Sequence, residues 1–242
     1  MTVGAIIQAR TASTRLPGKV LADIAGAPML ARVVDRARRA RTVDRVIVAT
    51  TTESRDDELA RYAGTLAVDV FRGSEDDVLD RYYQAALLYE LDVVVRITSD
   101  CPLLDPGLID RVVTLLRDSR ADYAANTLER TFPRGLDVQA VPFATLERAW
   151  REATSVHERA HVLPYVYERP ETFSMAGFTD AVNRSHMRWT VDTEEDLTCV
   201  REIYRSLGAQ DFAWTDVLKV LESRPELLQI NATVRQKTAH EL

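Results

Sequence analysis

The chain has 242 residues, 46% of them hydrophobic and 28% charged, proportions of a soluble globular protein that exclude a disordered chain, a collagen repeat or a disulfide scaffold. Its 31 Lys and Arg against 37 Asp and Glu leave a net charge of −6, which argues against a nucleic-acid binder built on a diffuse basic surface. No apolar stretch reaches the ~20 residues that cross a bilayer, the N-terminus lacks a basic leader, and two distant cysteines, Cys101 and Cys199, read as free thiols of a reducing cytoplasm.

Taken in order, Val3 to Ala9 reads as a buried strand and Pro28 to Arg41 as an amphipathic helix. Arg45 to Thr51 is a second strand, Arg55 to Ala63 a short helix, Val68 to Phe71 a third strand, and Glu75 to Leu91 a helix with apolar residues at helical spacing. Asp92 to Thr98 is a fourth strand, and Asp105 to Arg117 a helix with Pro106 in its first turn. Strand and helix alternate, which predicts an α/β fold, a mostly parallel sheet with helices on both faces.

After Ala121 the pattern changes. Tyr123 to Asn126 and Leu136 to Val141 read as short strands around Pro133-Arg134-Gly135, with helices over Phe143 to Glu152 and Val156 to Tyr167. Roughly 123–180 is expected to be a small α+β excursion from the main sheet, forming a second cleft wall or a dimer surface. Met187 to Val191 is expected to return as a strand, followed by helices over Thr193 to Leu207 and Thr215 to Glu222 and a fraying tail beyond Asn231.

Ligands of such sheets bind at the carboxyl ends of the strands, which draws attention to two places. After the first strand, Arg10-Thr11-Ala12-Ser13-Thr14-Arg15-Leu16-Pro17-Gly18-Lys19 carries three cations and no acid, a composition suited to a polyphosphate. It is not a P-loop, since Ser13 and Val20 stand where Gly and Ser or Thr are needed, and no Gly-x-Gly occurs for a dinucleotide fingerprint. After Thr98 comes Asp100-Cys101-Pro102, and after Val191 comes Asp192. Asp192 alone reads as readily as a helix cap, whereas Asp100 precedes Pro102 in a fixed turn, and with a polyphosphate loop the pair would hold Mg²⁺ together with phosphate oxygens and water.

His157-Glu158-Arg159-Ala160-His161 matches the H-E-x-x-H zinc motif, but Arg159 lies inside it and Pro164 and Tyr167 break the longer continuation. The alternative is a helix lining the cleft, with His161 and Tyr165 four residues apart on one side.

Beyond these features, Ile6 to Arg10 with Ser13 to Lys19, Gly73 to Tyr82, Asp100 to Leu103, Pro133 to Val138 and Arg188 to Leu197 together resemble the spore-coat polysaccharide biosynthesis family of cytidylyltransferases, which is similar to the CMP-KDO and CMP-sialate synthetases. The resemblance implies one nucleotidyltransferase domain over 1–242 of the glycosyltransferase-A kind, CTP as donor, Mg²⁺, and a homodimer formed through 123–180. It implies a triphosphate role for Arg10, Arg15 and Lys19, metal ligation by Asp100 and Asp192, and nucleotide contacts from Gln8, Ala9, Ser74, Asp77 and Thr98. Arg10, Lys19, Asp100 and Asp192 become the expected catalytic set. Arg134, Asp137, Gln139, His161 and Arg188 become the expected acceptor contacts, the arginines favouring an acidic acceptor such as a sugar acid.

The expected reaction is in-line attack on the α-phosphorus of CTP with release of pyrophosphate. The rival readings are a glycosyltransferase of the same fold using a sugar nucleotide, and a non-catalytic nucleotide-binding subunit.

Overall fold

The computed structural model describes residues 1–208 and 211–236. Along the chain lie β1 (Val3–Gln8), a 3₁₀ turn at Lys19–Leu21, the two-residue strands β2 (Asp23–Ile24) and β3 (Ala27–Pro28), α1 (Met29–Arg38), β4 (Arg45–Thr51), α2 (Asp57–Thr65), β5 (Asp69–Gly73), α3 (Val78–Leu88), β6 (Val93–Thr98) and α4 (Pro106–Ser119). The second half adds β7 (Tyr123–Ala125), β8 (Gln139–Pro142), α5 (Phe143–Glu152), α6 (Val156–His161), α7 (Pro164–Tyr167), β9 (Met175–Gly177), α8 (Glu194–Leu207), α9 (Trp214–Ser223) and α10 (Leu227–Ile230).

The main sheet runs β5-β4-β1-β6-β8-β7-β9. Its first four strands are parallel, and β8 is antiparallel to both β6 and β7. Successive side chains of a strand face opposite ways, and here both faces are apolar because both are covered. Ala5, Ile7, Val46, Val48, Val93 and Val95 pack into one core with α1, α2, α4, α8 and α9. Ile6, Ile47, Ala49 and Val94 pack into the other with α3, α5 and the α6–α7 segment. The near-continuous apolar runs that marked these strands in the sequence are the direct result of that double burial.

Three expectations change. Residues 123–180 do not stand apart from the main sheet: their strands β7, β8 and β9 extend it on the far side of β6, and α5 to α7 pack on its face. The helix expected over Val156 to Tyr167 breaks into α6 and α7 because Val162 takes φ 77, so His161 and Tyr165 do not share one helical side. Met187 to Val191 is not a strand. It is extended backbone with a single bridge, Arg134 to Arg188, and its polar groups bond to loops: Arg134 N donates to Met187 O, Trp189 N to Arg134 O, and Val191 N to Asp100 O. Trp189, 1% exposed, gave the segment its strand-like apolar character by dropping into the core. Of the tail expected to fray, residues 237–242 lie outside the described residues.

Candidate active site

The loop after β1 folds on itself, with Ser13 N and Gly18 N both donating to Thr11 O. Gly18 takes φ 71, a left-handed conformation that glycine adopts without a Cβ penalty, and delivers Lys19 into its 3₁₀ turn. The loop is also pinned from outside. The Asp56 carboxylate, fully buried at the start of α2, accepts from Thr11 N at 2.8 Å and from Thr11 Oγ1 at 2.6 Å, and also from Thr51 Oγ1.

Lys19 then reaches across the strand ends. Its Nζ donates to Asp100 Oδ2 at 3.1 Å, to Asp192 Oδ1 at 2.8 Å and to Val191 O at 2.6 Å. Arg15 Nη2 lies 2.8 Å from Asp192 Oδ2. Burial opposes the charge on Lys19, but Asp100 and Asp192 outweigh it and raise its pKa above the usual lysine value. Burial likewise opposes ionisation of Asp192, and Lys19, Arg188 and Arg15 outweigh it and hold the carboxyl below the ordinary aspartate range. The two acids come from segments that are tied together, since Asp100 O accepts from Val191 N and from Thr190 Oγ1.

Arg10 pairs with Glu75, Nη1 to Oε1 at 3.6 Å, and Glu75 also binds Arg55. Each cation of a loop without acids is thus matched by carboxylates from other elements. Along the segment from Gly73, Ser74 Oγ accepts from Asp77 N, and Asp77 caps α3 by accepting from Asp80 N. Both Asp77 oxygens also take the Arg159 guanidinium, Nε to Oδ1 at 3.0 Å and to Oδ2 at 2.9 Å. Gln8 ends β1 with its Oε1 buried and, among the described residues, unbonded. Ala9 N donates to Ala49 O, and Thr98 Oγ1 lies 3.3 Å from Cys101 Sγ.

The expected acceptor residues divide. Asp137 is clamped by Arg130 through two bonds of 2.6 Å, and Gln139 Oε1 accepts from Arg96. Arg134 bridges to Arg188 through backbone, and burial together with the neighbouring Arg130 and Arg188 lowers its pKa. The guanidinium of Arg188 is turned onto Asp192 and Asp196. His161 lies on α6, which packs against α3, with its ring 5.1 Å from that of His157. In the H-E-x-x-H stretch the Glu158 carboxylate closes the α6 cap, accepting from Ser155 N, and binds Arg169 at 2.6 Å. It is therefore engaged structurally rather than set to serve as a base beside zinc.

Among the described residues no cluster of three or more His, Cys, Asp or Glu could enclose a metal. Two carboxylates that already share one cation, beside a loop of phosphate-seeking side chains, fit Mg²⁺, which is commonly held by one or two protein carboxylates with phosphates and water.

A family model described as cytidylyltransferase matches residues 4–237. The chain belongs to the cytidylyltransferase family. It is 31% identical over 230 residues to the spore coat polysaccharide biosynthesis protein SpsF of Bacillus subtilis, covering 91% of this chain and 94% of that one. It is 33% identical over 224 residues to a 3-deoxy-manno-octulosonate cytidylyltransferase of Mesorhizobium japonicum, covering 84% and 90%. A solved cytidylyltransferase of Leptospira borgpetersenii superposes with a TM-score of 0.91 at 33% identity, covering 98% of this chain and 99% of that one.

This cytidylyltransferase is therefore a nucleotidyltransferase enzyme with the α/β fold of its family. Asp56, Glu75, Asp196 and Asn231 bond to the residues expected in the site, and nothing in the sequence marks them for that. Asp196 reads there as one more acid of an ordinary helix start, and Asn231 carries no signal at all. No helix among the described residues is long and apolar enough to cross a membrane.

Proposed function

We propose that this cytidylyltransferase transfers CMP from CTP to a small acidic acceptor, a sugar acid or a similar molecule, in a Mg²⁺-dependent reaction that releases pyrophosphate. The observation that carries the reading is the convergence of Lys19 and Arg15 on Asp100, past the carboxyl end of β6, and on Asp192, which the 187–191 segment brings beside it. Phosphoryl transfer of this kind needs positioning and charge neutralisation more than covalent help. An acceptor oxygen attacks the α-phosphorus, the bond to the bridging oxygen breaks, and the electron pair leaves with pyrophosphate.

Arg10, Arg15 and Lys19 are flexible cations that exchange their carboxylate partners for the leaving phosphates, Arg in two-pronged fashion and Lys as a point charge. Asp100 and Asp192 would hold Mg²⁺, which when bound neutralises phosphate charge and polarises the phosphoryl group. The unbonded Gln8 Oε1 at the end of β1 supports a base amino group as its partner. The acidic acceptor is supported by Arg134, whose side chain has no hydrogen bond or ion pair among the described residues and lies near Arg130 and Arg188 as well as Asp137.

A homodimer joined through 123–180 belongs to the same proposal. A cytoplasmic setting is supported by the two buried free thiols.

The test is a thermal-shift comparison of the four ribonucleoside triphosphates with and without Mg²⁺, followed by pyrophosphate release with sugar acids. CTP is expected to raise the unfolding temperature most, and Asp100→Ala to abolish release. A folded Asp100→Ala protein that still turns over removes the metal assignment, and an equal response to all four nucleotides removes the donor.

A further inference from the structure

Asp192 is held by three cations of two kinds. Lys19 and Arg15 approach from the loop after β1, Lys19 on Oδ1 and Arg15 on Oδ2. Arg188 approaches from the interior and donates from Nη2 to Oδ2 at 2.7 Å. The side chain of Arg15 is 27% exposed, whereas that of Arg188 is 7% and that of its partner Asp196 is 0%. Loop cations can turn to a phosphate. A guanidinium locked in the interior cannot, and it stays on Asp192 when the others leave.

What locks Arg188 is a network the reaction itself does not use. Asp196 takes its fork, Nε to Oδ1 at 2.8 Å and Nη2 to Oδ2 at 2.9 Å. The same carboxylate accepts from Asp192 N at 2.9 Å and Thr193 N at 3.1 Å, so it fixes the backbone of the expected metal ligand as well as the cation on its side chain. Asn231, just past α10, closes the network: its Nδ2 donates to Asp196 Oδ1 at 2.9 Å and to Arg188 O at 3.0 Å. Gln236 Oε1 accepts from Arg188 Nη1. A helix cap needs only the bonds to Thr193. The fork, the Asp192 amide and the double donor of Asn231 go beyond a cap, and all bear on Asp192.

We propose that Asn231, acting through Asp196 and Arg188, is a positioning residue for Asp192, so that the segment after α10 sets how well the site binds nucleotide together with a divalent cation. This rests on the proposed reading of the site as one for CTP and Mg²⁺. It also gives Arg188 a different task from contact with the acceptor.

The test is calorimetric titration of the full chain with CTP, in excess Mg²⁺ and in EDTA, for wild type, Asn231→Ala and Arg188→Lys, with unfolding midpoints measured alongside. Affinity for CTP in EDTA is expected to stay within about twofold of wild type. The enhancement that Mg²⁺ gives is expected to fall about tenfold or more, as when the outer partners of a metal ligand are removed. Arg188→Lys keeps the charge and loses the two-pronged bond, so it carries the test should Asn231→Ala fail to fold. A lowered midpoint with the Mg²⁺ enhancement unchanged means a merely structural role and overturns the proposal. A wild type whose CTP binding is absent or indifferent to Mg²⁺ overturns the reading of the site, and with it this inference, before any variant is measured.

Discussion

Lys19 Nζ donates to two carboxylates and a carbonyl, so replacing it removes the proposed phosphate ligand and leaves Asp100 and Asp192 without the charge between them. Lys19→Met is expected to slow pyrophosphate release by about 100-fold or more, the scale seen when one transition-state donor is removed. A residual rate within tenfold of wild type would place Lys19 outside the chemistry. Asp56 supports the same loop from behind. Burial opposes its charge, but bonds from Thr11 and Thr51 outweigh that and hold its carboxyl below the ordinary value. With the folded pKa below the unfolded one of about 3.9, its contribution is complete above that value and is lost as pH falls through the folded pKa. Asp56→Asn should therefore flatten the fall of stability below about pH 5, measured by urea unfolding. An acid slope identical to wild type would show that Asp56 carries none of it.

At the scale of elements, the segment that carries Asp192 depends on a turn. Gly135 takes φ 102, and a Cβ there would lie 2.6 Å from the Trp189 carbonyl carbon and 2.7 Å from Thr190 N. Those are backbone atoms, which cannot rotate away. Gly135→Ala should cost upwards of about 1 to 3 kcal/mol, the backbone conformation alone accounting for that much, and should weaken nucleotide binding by displacing the 187–191 segment. A urea midpoint unchanged from wild type would contradict it. The same segment has a sequence that misleads about its structure. Met187 to Val191 has the apolar, β-branched look of a strand, yet its partners are loops. Periodicity reports that residues are buried and not what buries them. The core strands of the parallel sheet were legible because both their faces are covered, which writes an unbroken apolar run into the sequence. The break at Val162 was not legible, since a non-glycine residue at positive φ is held there by packing and leaves no local signature.

For the whole molecule, the two cores lie on opposite faces of one sheet and share its strands, so neither can melt alone. Calorimetry should give a single unfolding transition, raised by CTP and Mg²⁺ by about 2.7 kcal/mol at a hundredfold excess over the dissociation constant. Two separable transitions would mean that β7, β8 and β9 belong to a unit of their own.

The basic loop after β1 and the acid after β6 were legible because a strand end and residue chemistry are local properties, whereas Asp192 follows an extended segment that only looks like a strand. The α/β class could be read because burial on two faces is a local pattern too. Which acid neutralises which cation is not local: Lys19 meets Asp192, Asp77 meets Arg159, and Asn231 meets Arg188 and Asp196. Such pairs are joined only when the chain folds back on itself, and a charge or amide in a sequence carries no address for its partner. Local burial patterns thus fix the kind of fold, and local chemistry offers the candidate side chains. Only long-range packing makes the strands of 123–180 extend the sheet, sets Asp56 to brace the loop, and brings the chain beyond α10 back to hold Arg188 against Asp192.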